Sequence, residues 1–283
     1  VRFVATFLMW VVTTVLLAVA LPVAWAQQNL VDADGYAALA QKAAADRGLQ
    51  SAMASELTTQ VGRLGTGVNT GTVSLVAATY TSSSSFPGQF AQANRFAHRW
   101  LFTDQIRSSV DERGRWVIDI APMLADAAFK QTLSDYNITV PTSVPIPLTD
   151  NAPAVLRPGS LRLVATYGPW VSVGLAVLAG LAALLTLFIA RSRGKMLVAL
   201  GVSALLVGAA GWAAIEFGRR HLNTVLDNAS GNIRGVADVM VATAENSMHQ
   251  WLNISLITGG GLVIIGVIVS LLVSLARTPQ RSG

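Results

Sequence analysis

Asn94, Arg95, His98 and Arg99 fall within one short stretch, AQANRFAHRWLF, residues 91–102. A histidine beside an amide and two guanidinium groups could do general acid–base chemistry, provided a carboxylate or nucleophile completes the set. Asp119 is the one acidic residue suspected as a partner for His98. Helical periodicity argues against convergence. Phe86, Phe90, Ala93, Ala97, Trp100 and Leu101 recur at helical spacing and define an apolar stripe. On that helix Arg95 and Arg99 point away from the stripe, Asn94 lies at its edge and His98 a little farther round. The cluster therefore reads as solvated arginines plus an edge Asn and His bonded to neighbours, and His98→Ala is expected to leave the fold almost unchanged.

Other chemistry is thinly represented. The chain has no cysteine, which excludes disulfides, thiolate metal sites and cysteine nucleophiles. It shows no G-x-S-x-G, H-E-x-x-H or P-loop pattern. Asp32-Ala-Asp34 has the form of a D-x-D metal pair, but two candidate helix N-caps explain it better. His221 and His249, with Glu216, make a poor metal site. The expectation is no metal, no cofactor and no enzymatic activity.

The elements that position these residues are dominated by apolar runs. The chain has 283 residues, 52% of them hydrophobic, and a mean hydropathy of +0.51. Residues 3–21, 169–190, 196–215 and 251–276 carry no charge. Each is close to the ~20 residues that cross a ~30 Å hydrocarbon layer as a helix. The first run, with Arg2 before it and Ala24-Trp25-Ala26 after it, also fits a signal peptide; its length favours a retained anchor. Arg2, Arg191, Arg193, Lys195, Arg277 and Arg281 lie in the segments that a four-span topology puts on one side, with no acid among them. By the positive-inside rule that side is cytoplasmic. Residues 27–165 hold eleven acids and eleven bases, so the pI of about 10.1 reflects topology and offers no basic domain for nucleic acid.

The expected organisation is a transmembrane anchor or signal segment (1–26), an extracytoplasmic domain (27–165), a transmembrane helix (166–190) and a cytoplasmic basic loop (191–195). A transmembrane helix (196–217), an extracytoplasmic helical hairpin (218–250), a final transmembrane helix (251–276) and a cytoplasmic tail (277–283) follow. In the outer domain, Asp32 or Asp34 can cap one helix and Asp46 a second. Residues 62–72 read as a Gly/Thr/Asn loop, VSLVAATY as helix or strand, and RWVIDI (115–120) as a strand. Pro122 suits the start of a further helix, and the proline-punctuated stretch after it suits an edge strand or strap. The fold class is thus an α-helical bundle of four spans carrying a small helix-rich α+β domain. The hairpin should pack as a stalk under that domain or dock a partner.

Within the spans there is no Asp, Glu, Lys, Arg or His, whereas proton-coupled transporters usually need such groups. Small residues recur at four-residue spacing instead, at Ala176/Gly180, Ala179/Ala183, Ala204/Gly208, Ala209/Ala213 and Ala210/Ala214. Gly259, Gly260 and Gly261, with Gly266, add to them. Such positions let helices approach closely, in a compact bundle or at a partner-docking face.

Taken in order, the N-terminal span, DADGYAALAQKAAADRGLQSAMASELTTQV, SSFPGQFAQANRFAHRWL, WVIDIAPMLAD, the proline-rich strap and three spans with RSRGK between the first two resemble a family of uncharacterised actinobacterial, mycobacterial-type integral membrane proteins. The likeness runs over nearly the whole chain and is most specific at residues 93–98 and 119–122. It departs at Arg47, where family members often carry proline. Abundant arginine, with lysine confined to Lys42, Lys130 and Lys195, fits a GC-rich genome of that kind. The resemblance implies this architecture and carries no catalytic residues. The expected function is a non-enzymatic scaffold or accessory subunit in the plasma membrane, acting in the cell envelope with a larger membrane protein or with itself. The alternative is an outer lipid-binding module or enzyme with a site around His98 and Asp119.

Overall fold

A computed structural model describes residues 2–63, 69–103, 108–110, 116–119, 145–147, 159–190, 192–226 and 231–276. In chain order the elements are α1 (Arg2–Ala26), a π-helical turn (Gln27–Val31), α2 (Ala33–Ala43), α3 (Arg47–Arg63), α4 (Thr70–Thr81) and α5 (Phe86–Phe102). Three strands follow, β1 (Ser108–Val110), β2 (Trp116–Asp119) and β3 (Pro145–Pro147), then α6 (Arg162–Ile189), α7 (Arg193–Leu226) and α8 (Gly231–Ala276). The chain divides into two compact units. The first comprises Val1–Gln27, Pro169–Asn223 and Glu245–Gly283, the second Gln28–Gly168 and Thr224–Ala244.

Among the described residues four helical stretches are long and apolar enough to cross a membrane: Val4–Val31, Arg162–Ile189, Arg193–Arg219 and Asn232–Leu275. They cover the four uncharged runs to within one residue and extend past them into polar flanks. Hydropathy marks only the apolar part of a helix, while backbone hydrogen bonding continues through polar flanks. In the first unit the hydrogen bonds fix direction. Trp10 Nε1 donates to the Ala199 carbonyl (2.9 Å) and Thr14 Oγ1 lies 2.7 Å from Ser203 Oγ, so α1 and α7 run parallel. Thr13 Oγ1 sits 3.2 Å from Thr186 Oγ1 near the far end of α6, and Trp25 Nε1 donates to Ser247 Oγ (3.2 Å) early in α8. α6 and α8 therefore run against α1, and the starts of α1 and α7 share one end of the unit with the ends of α6 and α8. Trp25, Trp170, Trp212 and Trp251 mark the opposite end, as interfacial tryptophans do in membrane bundles.

The second unit is built on two helix pairs, α2 against α5 and α3 against α4. Its core is Ala43, Ala44, Leu49 and Phe86, with Met53, Tyr80 and Phe90 packed around it. Val236, Val239 and Met240 of α8 join that core, so the second arm of the predicted hairpin is part of this unit as far as Ala244, and its last residues belong to the first unit. Asp32 caps α2, its side chain accepting from the backbone N–H of Asp34 and Gly35. Asp46 Oδ1 accepts from Gly48 N (2.7 Å) at the start of α3. VSLVAATY is helical, within α4, whose N-cap Asn69 and first residues belong to the stretch expected as loop. Asn69 supplies the side-chain acceptor that lets the helix begin inside a Gly/Thr-rich segment.

The strands form a small antiparallel sheet in the order β1-β2-β3, with Val117 opposite Ser109 and Pro147. The prolines of β3 lie on an edge strand, where a missing N–H is tolerated. These strands are too short to give helices a layer to pack on, and the described core is entirely helical. The fold is accordingly a helical one, and the expected α+β domain is not supported. The helix expected after Pro122 and the turn at 227–230 lie outside the described residues.

Candidate functional site

α5 is buried on two sides, not along the single stripe expected. Phe86, Gln89, Phe96 and Trp100 are buried on one side, Ala91 and His98 on the other, and Ala97, placed on the apolar stripe, is exposed. Packing against α2 explains the second side. His98 is 5% exposed, and its Nε2 lies 3.0 Å from the Leu30 carbonyl of the π-helical turn. The imidazole stacks on Phe102 at 4.0 Å and leans on Tyr36 at 5.4 Å. Asn94 Oδ1 accepts from Tyr36 Oη (3.4 Å), while its Nδ2 donates to the Phe90 carbonyl (2.9 Å). Arg95 Nη2 pairs with Asp34 Oδ1 at 2.9 Å. Asn94, Arg95 and His98 therefore do converge, on α2 and the turn before it, and Arg99 alone is exposed.

The arrangement clasps two helices together. In its neutral form His98 donates Nε2–H to Leu30, a tautomer assigned from that contact. Burial lowers the His98 pKa below its ordinary value, against the opposing pull of the Leu30 and Val31 backbone and of Asp32. Burial likewise raises the Tyr36 hydroxyl. Gly35 completes the junction, because any Cβ there would collide with the Gln28 carbonyl. The partners Leu30, Asp34 and Tyr36 were not legible as such. Helical spacing within α5 says nothing about which other helix lies against it.

The remaining chemical candidates are dispersed. Asp119 pairs with Pro145 through β2. Its side chain lies outside the described residues, and with it the suspected pairing to His98. Asp32 and Asp34 serve a cap and an ion pair, and the described residues contain no group of three or more His, Cys, Asp or Glu that could hold a metal. His249 stacks on Trp212 at 3.7 Å, and the His221 side chain lies outside the described residues. Ser192 and Lys195 have the S-x-x-K spacing of some acyl-transfer enzymes. Both are exposed at the start of α7, where the Ser192 carbonyl accepts from Met196 N (3.1 Å).

The small residues of the spans are sorted by face. A Cβ on Gly201 would stand 2.6 Å from the Gly259 carbonyl oxygen, and one on Gly259 would stand 2.8 Å from the Gly201 oxygen. Gly266 meets the Gly194 carbonyl at 2.7 Å, and Gly208 meets Leu256 Cδ2 at 2.6 Å. Ser255 Oγ donates to the Ala204 carbonyl (3.1 Å) across the same contact. Thus α7 and α8 touch backbone to backbone at Gly194, Gly201, Gly259 and Gly266, while Ala204 and Gly208 meet the side chains of Ser255 and Leu256. Ala209 and Ala213 are exposed on α7, and Gly260 and Gly261 meet nothing within 4 Å. The glycine contacts recur at seven-residue spacing; of the four-residue pairs on α7, Ala204/Gly208 lies in the contact, whereas Ala209/Ala213 and Ala210/Ala214 are exposed. No protein-family model, curated protein or solved structure matches the chain.

Proposed function

We propose that the chain is a multi-pass plasma-membrane protein with a non-enzymatic role, a scaffold or accessory subunit of the cell envelope. The observation that carries this reading is the engagement of the best acid–base candidate. His98 is bonded to Leu30, packed between Tyr36 and Phe102, and flanked by Asn94 and Arg95 with partners of their own. The orientation places the N-terminus, the loop around Ser192 and the C-terminus in the cytoplasm and residues 28–168 outside. Its support is the basic residues Arg2, Arg191, Arg193, Lys195, Arg277 and Arg281 in the sequence, together with the shared end of the bundle at which α1 and α7 begin and α6 and α8 end. Ala209 and Ala213, exposed one turn apart on α7, favour a partner span or a second copy of this chain, since close approach drives association where lipid is as apolar as leucine.

The test is the mass of the tagged full chain in mild detergent, with any companion identified. Wild type should run as a complex or dimer that Ala209→Leu/Ala213→Leu dissolves and Gly260→Leu leaves intact. A monomer in both cases would overturn the scaffold reading. A cellular defect from His98→Gln at normal membrane abundance and thermal stability would revive an enzyme.

A further inference from the structure

We propose that a crevice among the four candidate spans binds one hydrocarbon chain of a membrane lipid. The crevice has a volume of about 490 Å³, and α1, α6, α7 and α8 all contribute to its wall. Small residues leave the space: Ala20 of α1, Ala179, Gly180 and Ala183 of α6, and Ala204 of α7 line it. A Cβ on Gly180 would meet nothing within 4 Å.

The walls specify an apolar occupant. Thr13, Ser203 and Ser255 line the crevice, yet each hydroxyl is engaged elsewhere. Thr13 Oγ1 donates to the Met9 carbonyl (2.8 Å), Ser203 Oγ to Ala199 (3.1 Å) and Ser255 Oγ to Ala204 (3.1 Å). Three of the lining hydroxyls thus need no partner from a ligand, and the fourth, Thr258, is exposed.

The dimensions specify a single chain. Along α1 the crevice runs from Thr13 to Ala24, roughly 16 Å at 1.5 Å per residue. That is about half of a ~30 Å hydrocarbon layer, the depth of one leaflet. Its 490 Å³ over that length gives a cross-section of roughly 30 Å². An alkyl chain with neighbours about 4 Å away needs roughly 20 Å². A helix 10–12 Å across needs roughly 80–110 Å², so another span could at most lay side chains on the opening. Trp251 lines the crevice at the tryptophan-marked end of the bundle, where interfacial aromatics meet lipid headgroups. The chain therefore enters beside Trp251 and lies along α1.

The test uses the full protein in vesicles of phosphatidylethanolamine and phosphatidylglycerol, with a phospholipid carrying a diazirine midway along one acyl chain. Illumination should label the stretches around Ala179–Ala183 and Ile254–Thr258 above the outward positions Leu184 and Phe188. Gly180→Phe projects a ring from a Cβ position that meets nothing within 4 Å and should cut that labelling severalfold, leaving Leu184 and Phe188 labelled as before. Leu200→Ala enlarges the wall and should preserve or raise it. Gly174→Phe, on the same helix and also free of neighbours within 4 Å, should change nothing. Equal labelling in wild type and Gly180→Phe, or label spread evenly over all outward faces, would mean bulk lipid only and would overturn the proposal. Crosslinks from this wall to another protein chain would overturn it in favour of a helix.

Discussion

Alanine at Gly201 is the sharpest probe of the α7–α8 contact. The added Cβ would stand 2.6 Å from the Gly259 carbonyl oxygen and 2.8 Å from Val263 N, both backbone atoms of α8. Ordinary contact begins at 3.4 Å, and a helix backbone can reach that only by moving as a body. Overpacking of this kind costs about 1–3 kcal/mol. Replacing a helical glycine by alanine returns about 1 kcal/mol of propensity. The net for Gly201→Ala is a destabilisation of about 1 kcal/mol on these figures. Gly208→Ala should be milder, because its nearest neighbours are side-chain atoms of Leu256, which can rotate. At Gly260 the Cβ meets nothing, so alanine there should stabilise by about 0.5–1 kcal/mol. Reversible unfolding in mixed micelles, followed by tryptophan fluorescence, measures all three. The reasoning fails if Gly201→Ala and Gly260→Ala shift the midpoint in the same direction.

Leucine at Gly208 should likewise loosen the bundle while leucine at Ala209 leaves protease resistance in detergent unchanged, since Ala209 is exposed and Gly208 meets α8; equal effects would contradict the assigned faces. His98→Ala removes a buried ring, a stack and the bond to Leu30, and should cost about 2–4 kcal/mol, measured as a lower thermal midpoint. That reverses the expectation of an almost unchanged fold. Because burial depresses the folded-state pKa of His98 below 6.5, its contribution to stability is present above that pH and lost as pH falls through the folded pKa. His98→Gln should flatten this acid slope in a pH series of thermal unfolding; an unaltered slope would show that other groups produce it. With no native cysteine, single cysteines report topology: one at Ser51 should react with an impermeant reagent in intact cells and one at Ser192 should not. Labelling at Ser192 without lysis would refute the orientation.

The positions of the four candidate spans followed from sequence because hydropathy is a local property, summed over about 20 residues with no knowledge of neighbours. The caps at Asp32 and Asp46 were legible for the same reason, since a side-chain oxygen reaches an N–H two or three residues ahead within its own chain segment. Part of the α7–α8 contact was also written in sequence, in Gly194, Gly201 and Gly208 at intervals of seven and Gly259 and Gly266 at the same interval. That is the period of two helices kept in contact along one face. Which of two adjacent small residues faced inward depended on where α8 lay, so Gly208 and Ala209 could not be told apart. The same holds for Asn94, Arg95 and His98. Their angles around α5 came from sequence, but the meeting with Leu30, Asp34 and Tyr36 required α2 to pack on a second side of the helix. Packing between distant segments depends on the shapes of both surfaces at once, and one helix's periodicity records only its own.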